Sequence, residues 1–192
     1  MTRKRLLSIK QHAKQASARV PLVKEERTMN TVVVYDSQFG NTEQLAQTIA
    51  ETLRECGQVR TVRVEHAHPL GLQGVDLLIL GCPTQNMRPT RAMRFLLESI
   101  PFFLEYIPLE SLSRLAVACF DTRLGQPRWM TGSAAGVMTK KMRKMGVSHL
   151  FPPESFLVKG MHGPLQSGEV ERAANWARML REKVEALQLA QR

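Results

Sequence analysis

The stretch Thr31–Thr42, TVVVYDSQFGNT, constrains this chain more than any other. Five strand-favouring residues, Thr31 to Tyr35, run into Asp36-Ser37 and then Gly40-Asn41-Thr42. Beyond them Leu45, Ala46, Ile49, Ala50 and Leu53 recur at the spacing of one helix face. A buried strand that passes through a small, polar, glycine-containing turn into a helix gathers free backbone N–H groups and the positive helix end at one point. Such a point suits a phosphate. Ser37, Asn41 and Thr42 add side-chain donors, and Gly40 permits a backbone conformation closed to other residues. The same residues also suit an ordinary strand-to-helix turn capped by Thr42, so the rest of the chain has to decide.

A length of 192 residues suits one domain with a two-sided core. There is no GxGxxG fingerprint, no Gly-Lys-Ser/Thr phosphate loop and no internal repeat. The net charge of +10 is uneven: residues 1–28 carry eight Lys/Arg against Glu25 and Glu26, and the remainder has nineteen basic against fifteen acidic residues. The chain therefore divides into a basic N-terminal extension, 1–28, and a folded domain, 29–192. The extension reads as a disordered segment or an over-long start before Met29, as a basic arm for nucleic acid or anionic lipid, or as an organelle-targeting segment. It lacks the interleaved aromatics of a base-stacking arm, and the folded domain shows no nucleic-acid signature. No run reaches membrane-spanning length. Cys56, Cys82 and Cys119 stand at unrelated spacings that give neither a disulfide framework nor a metal site, which predicts a reducing, cytoplasmic setting.

Further strands are predicted over Val59–Val64, Val75–Gly81, Arg114–Phe120 and Ser155–Gly160. Helices are predicted from about Pro89 to Ile100, from Gly132 to Lys144 and from Glu169 to Leu187. Strands alternating with helices make an α/β, three-layer, doubly wound fold with a five-stranded parallel sheet. The order 2-1-3-4-5 fits best, because it sets the two charged strands at the edges and the three apolar ones in the middle. In that order the strand ends followed by Ser37–Thr42, Pro83–Arg88 and Asp121–Arg128 meet at the switch point where ligands bind.

These motifs, in this order, resemble the flavodoxin family from Met29 to the end of the chain. Ser37, Gln38, Phe39, Gly40, Asn41 and Thr42 stand where that family wraps the phosphate of FMN, with Phe39 replacing a usual Thr. Leu80-Gly81-Cys82-Pro83-Thr84 resembles the segment that lines the flavin ring, continued by Gln85, Asn86, Met87 and Arg88. Phe120, Asp121, Thr122 and Arg123, with Gly132-Ser133-Ala134-Ala135, resemble the third flavin loop and the helix behind it. Gly163-Pro164-Leu165 with Gly168-Glu169 resembles the approach to the last helix in one branch of the family. The resemblance implies an FMN-binding protein acting in electron transfer, with a redox partner protein or a small anionic substrate as its counterpart. It also implies a stacking aromatic, but Gln85-Asn86-Met87-Arg88 supplies none; Trp129, Phe120 and Phe39 are the substitutes in reach. The family's carriers are acidic, whereas Arg88, Arg91, Arg123 and Arg128 mark this rim.

No acid/base or nucleophile constellation stands out, which favours a carrier over a dedicated enzyme. The alternatives are an NAD(P)H- or quinone-linked flavin reductase and a flavin-free interaction module on the same fold. Cys82-x5-Arg88 matches the spacing of a phosphatase loop, but Pro83 and Pro89 remove N–H donors that such a loop needs. A phospho-receiver would need an Asp where Gly81-Cys82 stand. His66, His68, His149 and His162 show no metal-binding spacing. Ile100–Pro108, IPFFLEYIP, is apolar for a connection and reads as core packing, a homodimer contact or a lid.

Overall fold

The computed structural model describes residues 28–104 and 113–190. The expectation for Ile100–Pro108 therefore falls partly outside the described residues, from 105 on, and that for the N-terminal extension almost wholly outside. Strand β1 (Met29–Tyr35) leads into helix α1 (Asn41–Arg54), β2 (Gly57–Arg63), two short 3-10 turns, β3 (Leu77–Pro83) and α2 (Arg91–Leu104). Then come β4 (Ala116–Leu124), a single turn α3 (Arg128–Thr131), α4 (Ala134–Lys144), β5 (His149–Leu150), β6 (Glu154–Val158) and α5 (Glu169–Ala190).

The sheet is parallel, in the order β2-β1-β3-β4-β5, with β6 also pairing with β4. This is the doubly wound order expected from the charged and apolar strands. The fifth position is shared by two short strands, because Pro152-Pro153 supply no N–H to the ladder between them. Ala116 pairs with His149 but Phe120 pairs with Glu154, so the outer strand gains one residue across that break. It forms a bulge. β3 and β4 also run further than their apolar stretches. Cys82 pairs with Asp121 and Pro83 with Thr122, while Arg123 and Leu124 pair with Leu157 and Val158.

Side chains alternate across the sheet, and each face has its own core. Val33, Tyr35, Leu77 and Ile79 pack with Leu45, Ile49 and Leu53 of α1 and Ala173, Ala177 and Leu180 of α5. Val32, Val34, Leu78 and Leu80 pack with Met93, Leu97 and Ile100 of α2 and Ala135, Met138 and Met142 of α4. A period of two on the strands meets a period of 3.6 on the helices, which makes the assembly three-layered. Each fully buried Leu or Ile contributes about 1.5–3 kcal/mol. The two cores therefore make a rigid base from which the loops at the carboxyl ends of β1, β3 and β4 project.

Candidate cofactor site

Those three loops surround a cavity of about 450 Å3. Ser37, Gln38, Phe39, Asn41 and Thr42 line one side, Pro83, Thr84, Gln85 and Asn86 a second, and Thr122, Arg123 and Leu124 the floor. Val158 and Met161, which follow from the sheet edge, complete it. The volume lies in the range of small-molecule and cofactor sites.

The first loop exposes the start of α1. Gly40 is its N-cap with φ +83° and brings no side chain of its own to the helix start. The helical ladder begins with Gln44 N–H donating to Gly40 O at 2.9 Å, so the amides of Asn41 and Thr42 precede it. Ser37 Oγ accepts from Glu43 N–H at 3.2 Å, and the Thr42 and Thr122 hydroxyls meet at 2.9 Å. An outer clamp holds the loop in place: Arg63 donates to Ser37 O at 3.1 Å and to Glu43, which also accepts from the Tyr35 hydroxyl at 2.8 Å. Gln85 Nε2 donates to Gln38 Oε1 at 2.7 Å and ties the first loop to the second.

The second loop is a tight hairpin. Gln85 and Arg88 exchange backbone hydrogen bonds of 2.9 and 3.0 Å, leaving Asn86 and Met87 at φ 47° and 66°. Both central residues are left-handed, the conformation of a two-residue reverse turn that non-glycine residues enter at a cost of about 1–2 kcal/mol each. The turn is seated against Gly132: a Cβ there would stand 2.4 Å from Met87 Cα.

Behind the cavity Asp121 joins the second and third loops to α4. It is fully buried. Its Oδ2 accepts from Thr84 Oγ1 at 3.1 Å, Ser133 Oγ at 2.7 Å and Ala135 N–H at 2.9 Å, while Thr84 Oγ1 accepts from Ala134 N–H at 2.8 Å. A carboxylate at the first turn of a helix is favoured by the helix dipole. Arg123 organises the third loop, with Nη1 donating to Leu124 O, Gln126 O and Thr131 Oγ1.

Of the residues singled out from the sequence, Ser37, Gln38, Phe39, Asn41, Thr42, Pro83, Thr84, Gln85, Asn86, Thr122 and Arg123 come together around the cavity. Gly40 shapes the first loop from within it. Met87 and Arg88 are exposed at the hairpin tip. Phe120 and Asp121 are buried beneath, the former in the aromatic cluster with Phe156 and Trp176. Among the expected ring partners, Phe39 is 49% exposed and lies 4.4 Å, centroid to centroid, from His162, whereas Trp129 is 77% exposed. Leu124 comes with the expected third loop, whereas Val158, Met161 and His162 were not anticipated. The last two arrive because the chain after β6 turns back toward the first loop, and Asn41 Nδ2 donates to His162 O at 3.1 Å. Cys82 faces Met138, Sγ to Sδ 3.9 Å, and burial pushes its thiol well above the ordinary range. That position removes it from phosphatase chemistry, which needs an accessible thiolate.

A cofactor-sized cleft at the switch point of a doubly wound parallel sheet, with a helix start exposed on one wall, defines an α/β cofactor-binding protein. The chain belongs to the flavodoxin family, whose model matches residues 33–176. That membership supports a flavin-binding function of the electron-transfer type. Solved structures agree on the fold. Flavodoxin 2 from Bacillus cereus superposes with a TM-score of 0.64 at 20% identity, covering 80% of this chain and 99% of that one. A flavodoxin from the domain Archaea gives 0.63 at 20% identity, covering 82% and 99%. Rubredoxin oxygen:oxidoreductase from Desulfovibrio gigas gives 0.63 at 20% identity over 82% of this chain but 36% of that longer one. No curated protein matches the sequence.

Proposed function

We propose that the protein binds FMN and acts as an electron-transfer flavoprotein. The observation that carries this reading is the cavity of about 450 Å3 that joins the exposed start of α1 to the loops after β3 and β4. The donor set fits the group: backbone amides and the Ser37, Asn41 and Thr42 side chains suit a phosphate ester. The part of the cavity lined by Thr84–Asn86 and Thr122–Leu124 would take a planar polar ring. Ser37–Thr42 would hold the phosphate. Pro83–Arg88, Thr122 and Arg123 would flank the ring, with Phe120 and Asp121 supporting that wall from behind. Phe39 and Met161, which line the cavity and are exposed, are the side chains in position to cover it.

When bound, the flavin exchanges one or two electrons with a partner. The chain's own residues bind and orient it, and its charges set which redox state is favoured. Arg123 places a fixed cation on the cavity floor, which favours an anionic reduced state. The reading makes the protein a carrier in the cell's soluble phase, working with a redox partner protein.

The test is an FMN titration followed by absorbance and fluorescence. Stoichiometric uptake, weakened at least about tenfold in the Asn41→Ala, Thr42→Ala double variant by loss of charge-assisted donors, supports the reading. A wild-type protein that takes up no FMN sinks it.

A further inference from the structure

Beside the cavity, next to its lining residues Asn86 and Arg123, lies a patch with apolar side chains at its centre and cations around it. Met87, Trp129 and Met130 are 52%, 77% and 53% exposed, and contact of the Met87 backbone with Gly132 sets the hairpin tip beside the turn that carries the other two. Arg88 and Arg91 stand on one side of this patch, Arg128 within it, and Lys159 across the sheet edge, all exposed. Among the described residues none of these four cations is in an ion pair. Among the described residues Arg128 donates to Ser155 Oγ, at 3.4 Å. The carboxylates of the same region are committed elsewhere. Glu43 holds Tyr35 and Arg63, Glu154 pairs with Arg172, and Asp121 is buried under three donors. Asp36 is half-buried behind the first loop.

Exposed Met and Trp within a ring of uncompensated cations have the anatomy of a docking surface: an apolar centre that loses water and a charged rim that steers the approach. The patch is small, as suits the brief encounters of electron carriers. The sign of the rim selects the partner. We propose that this face docks an acidic electron-transfer protein, whose carboxylates meet Arg88, Arg91, Arg128 and Lys159 while Met87 and Trp129 form the apolar contact beside the cofactor cavity. The inference rests on reading the cavity as a flavin-binding redox site.

The test uses the full chain and a plant-type [2Fe–2S] ferredoxin as an acidic one-electron probe. Its binding is titrated at about 0.01 M and about 1 M ionic strength, where the Debye length falls from about 30 Å to about 3 Å. The comparison is with the Arg91→Glu, Arg128→Glu double variant, and FMN uptake is titrated on the same samples. Expected are salt-sensitive binding by the wild type, a loss of about tenfold or more in the variant at low salt, and unchanged FMN uptake in both. A glutamate at the start of α2 suits the helix dipole, so the fold tolerates the change.

If FMN is taken up but the ferredoxin is not bound, the docking proposal alone is overturned. It is also overturned if the double variant binds like the wild type, because the basic 1–28 segment is then the attracting element. Preferential attachment of this face to phosphatidylserine vesicles overturns it as well. If FMN is not taken up, the functional reading falls and the proposal with it.

Discussion

The ring of Phe120 occupies the space that a side chain on Gly81 would fill: a Cβ at Gly81 would stand 2.1 Å from Phe120 Cζ. The two are paired across β3 and β4, at the level where both strands turn from core into cavity wall. Gly81→Ala must therefore displace a fully buried ring that packs edge-on against Phe156 and Trp176. Overpacking of this kind costs about 1–3 kcal/mol. A lowered urea midpoint that corresponds to this loss, with the denaturant slope unchanged, is the expected result; an unchanged midpoint would show that the ring has room to move.

Asp121→Ala removes one acceptor from three donors, Thr84 Oγ1, Ser133 Oγ and Ala135 N–H. Each buried donor left unpaired costs about 1–3 kcal/mol, so the variant loses at least about 2 kcal/mol. The hairpin and the start of α4 also lose their common anchor. FMN affinity is expected to fall along with stability, although Asp121 does not line the cavity. Parallel urea and FMN titrations check this, and a variant with full affinity would show that the hairpin holds its place unaided.

Gly163 has φ +99°, and a Cβ there would stand 2.4 Å from Asn41 Oδ1. Gly163→Ala combines backbone strain with pressure on a phosphate-loop side chain. The expected outcome is weaker FMN binding by a few-fold to about tenfold, with a loss of about 1–2 kcal/mol in stability. Equal FMN affinities in the two proteins would mean that Asn41 contributes little to holding the phosphate.

The thiols give a pH signature. Cys82 and Cys119 are buried, and burial pushes both thiols up, Cys119 to about 12. An unfolded thiol ionises near about 8.5, so above that pH the unfolded chain has lost protons that the folded chain keeps. Stability is therefore fully present below about pH 8.5 and declines as pH rises toward about 12, by up to about 1.4 kcal/mol per pH unit for each thiol. Urea midpoints measured between pH 7 and pH 10 should show the decline, and Cys119→Ala should flatten it. With a thiol reagent at neutral pH, exposed Cys56 is expected to react promptly and the other two only after unfolding.

Much of this site was legible because its walls follow directly from strands whose burial the sequence advertises. TVVVY, VDLLILG and RLAVACF are apolar enough to occupy the middle of a parallel sheet, and the polar residues after each must then meet. What escaped detection comes from the sheet edge. Val158, Met161 and His162 have no local mark of a site: Val158 ends the outer strand, and the fold-back after β6 brings Met161 to the cavity and His162 to the first loop. Lys159 N–H donates to Pro164 O and Gln166 N–H to Leu157 O. The division of the outer strand was written in Pro152-Pro153, but its consequence for register depends on β4, which no local pattern reveals. Phe120 reads as a loop-facing aromatic beside Asp121 until the alternation of β4 turns it into the core.

The divided outer strand bears on how copies of this protein behave toward each other. An uninterrupted edge offers a row of unpaired donors and acceptors onto which another chain can zip. Here the row is broken by two prolines and a register shift, and the opposite edge, β2, carries Arg60 and Arg63. Neither border of the sheet can template a neighbour over more than a few residues. With both borders poorly suited to strand addition, the exposed apolar residues beside the cavity are the part of the described surface best suited to contact with another molecule.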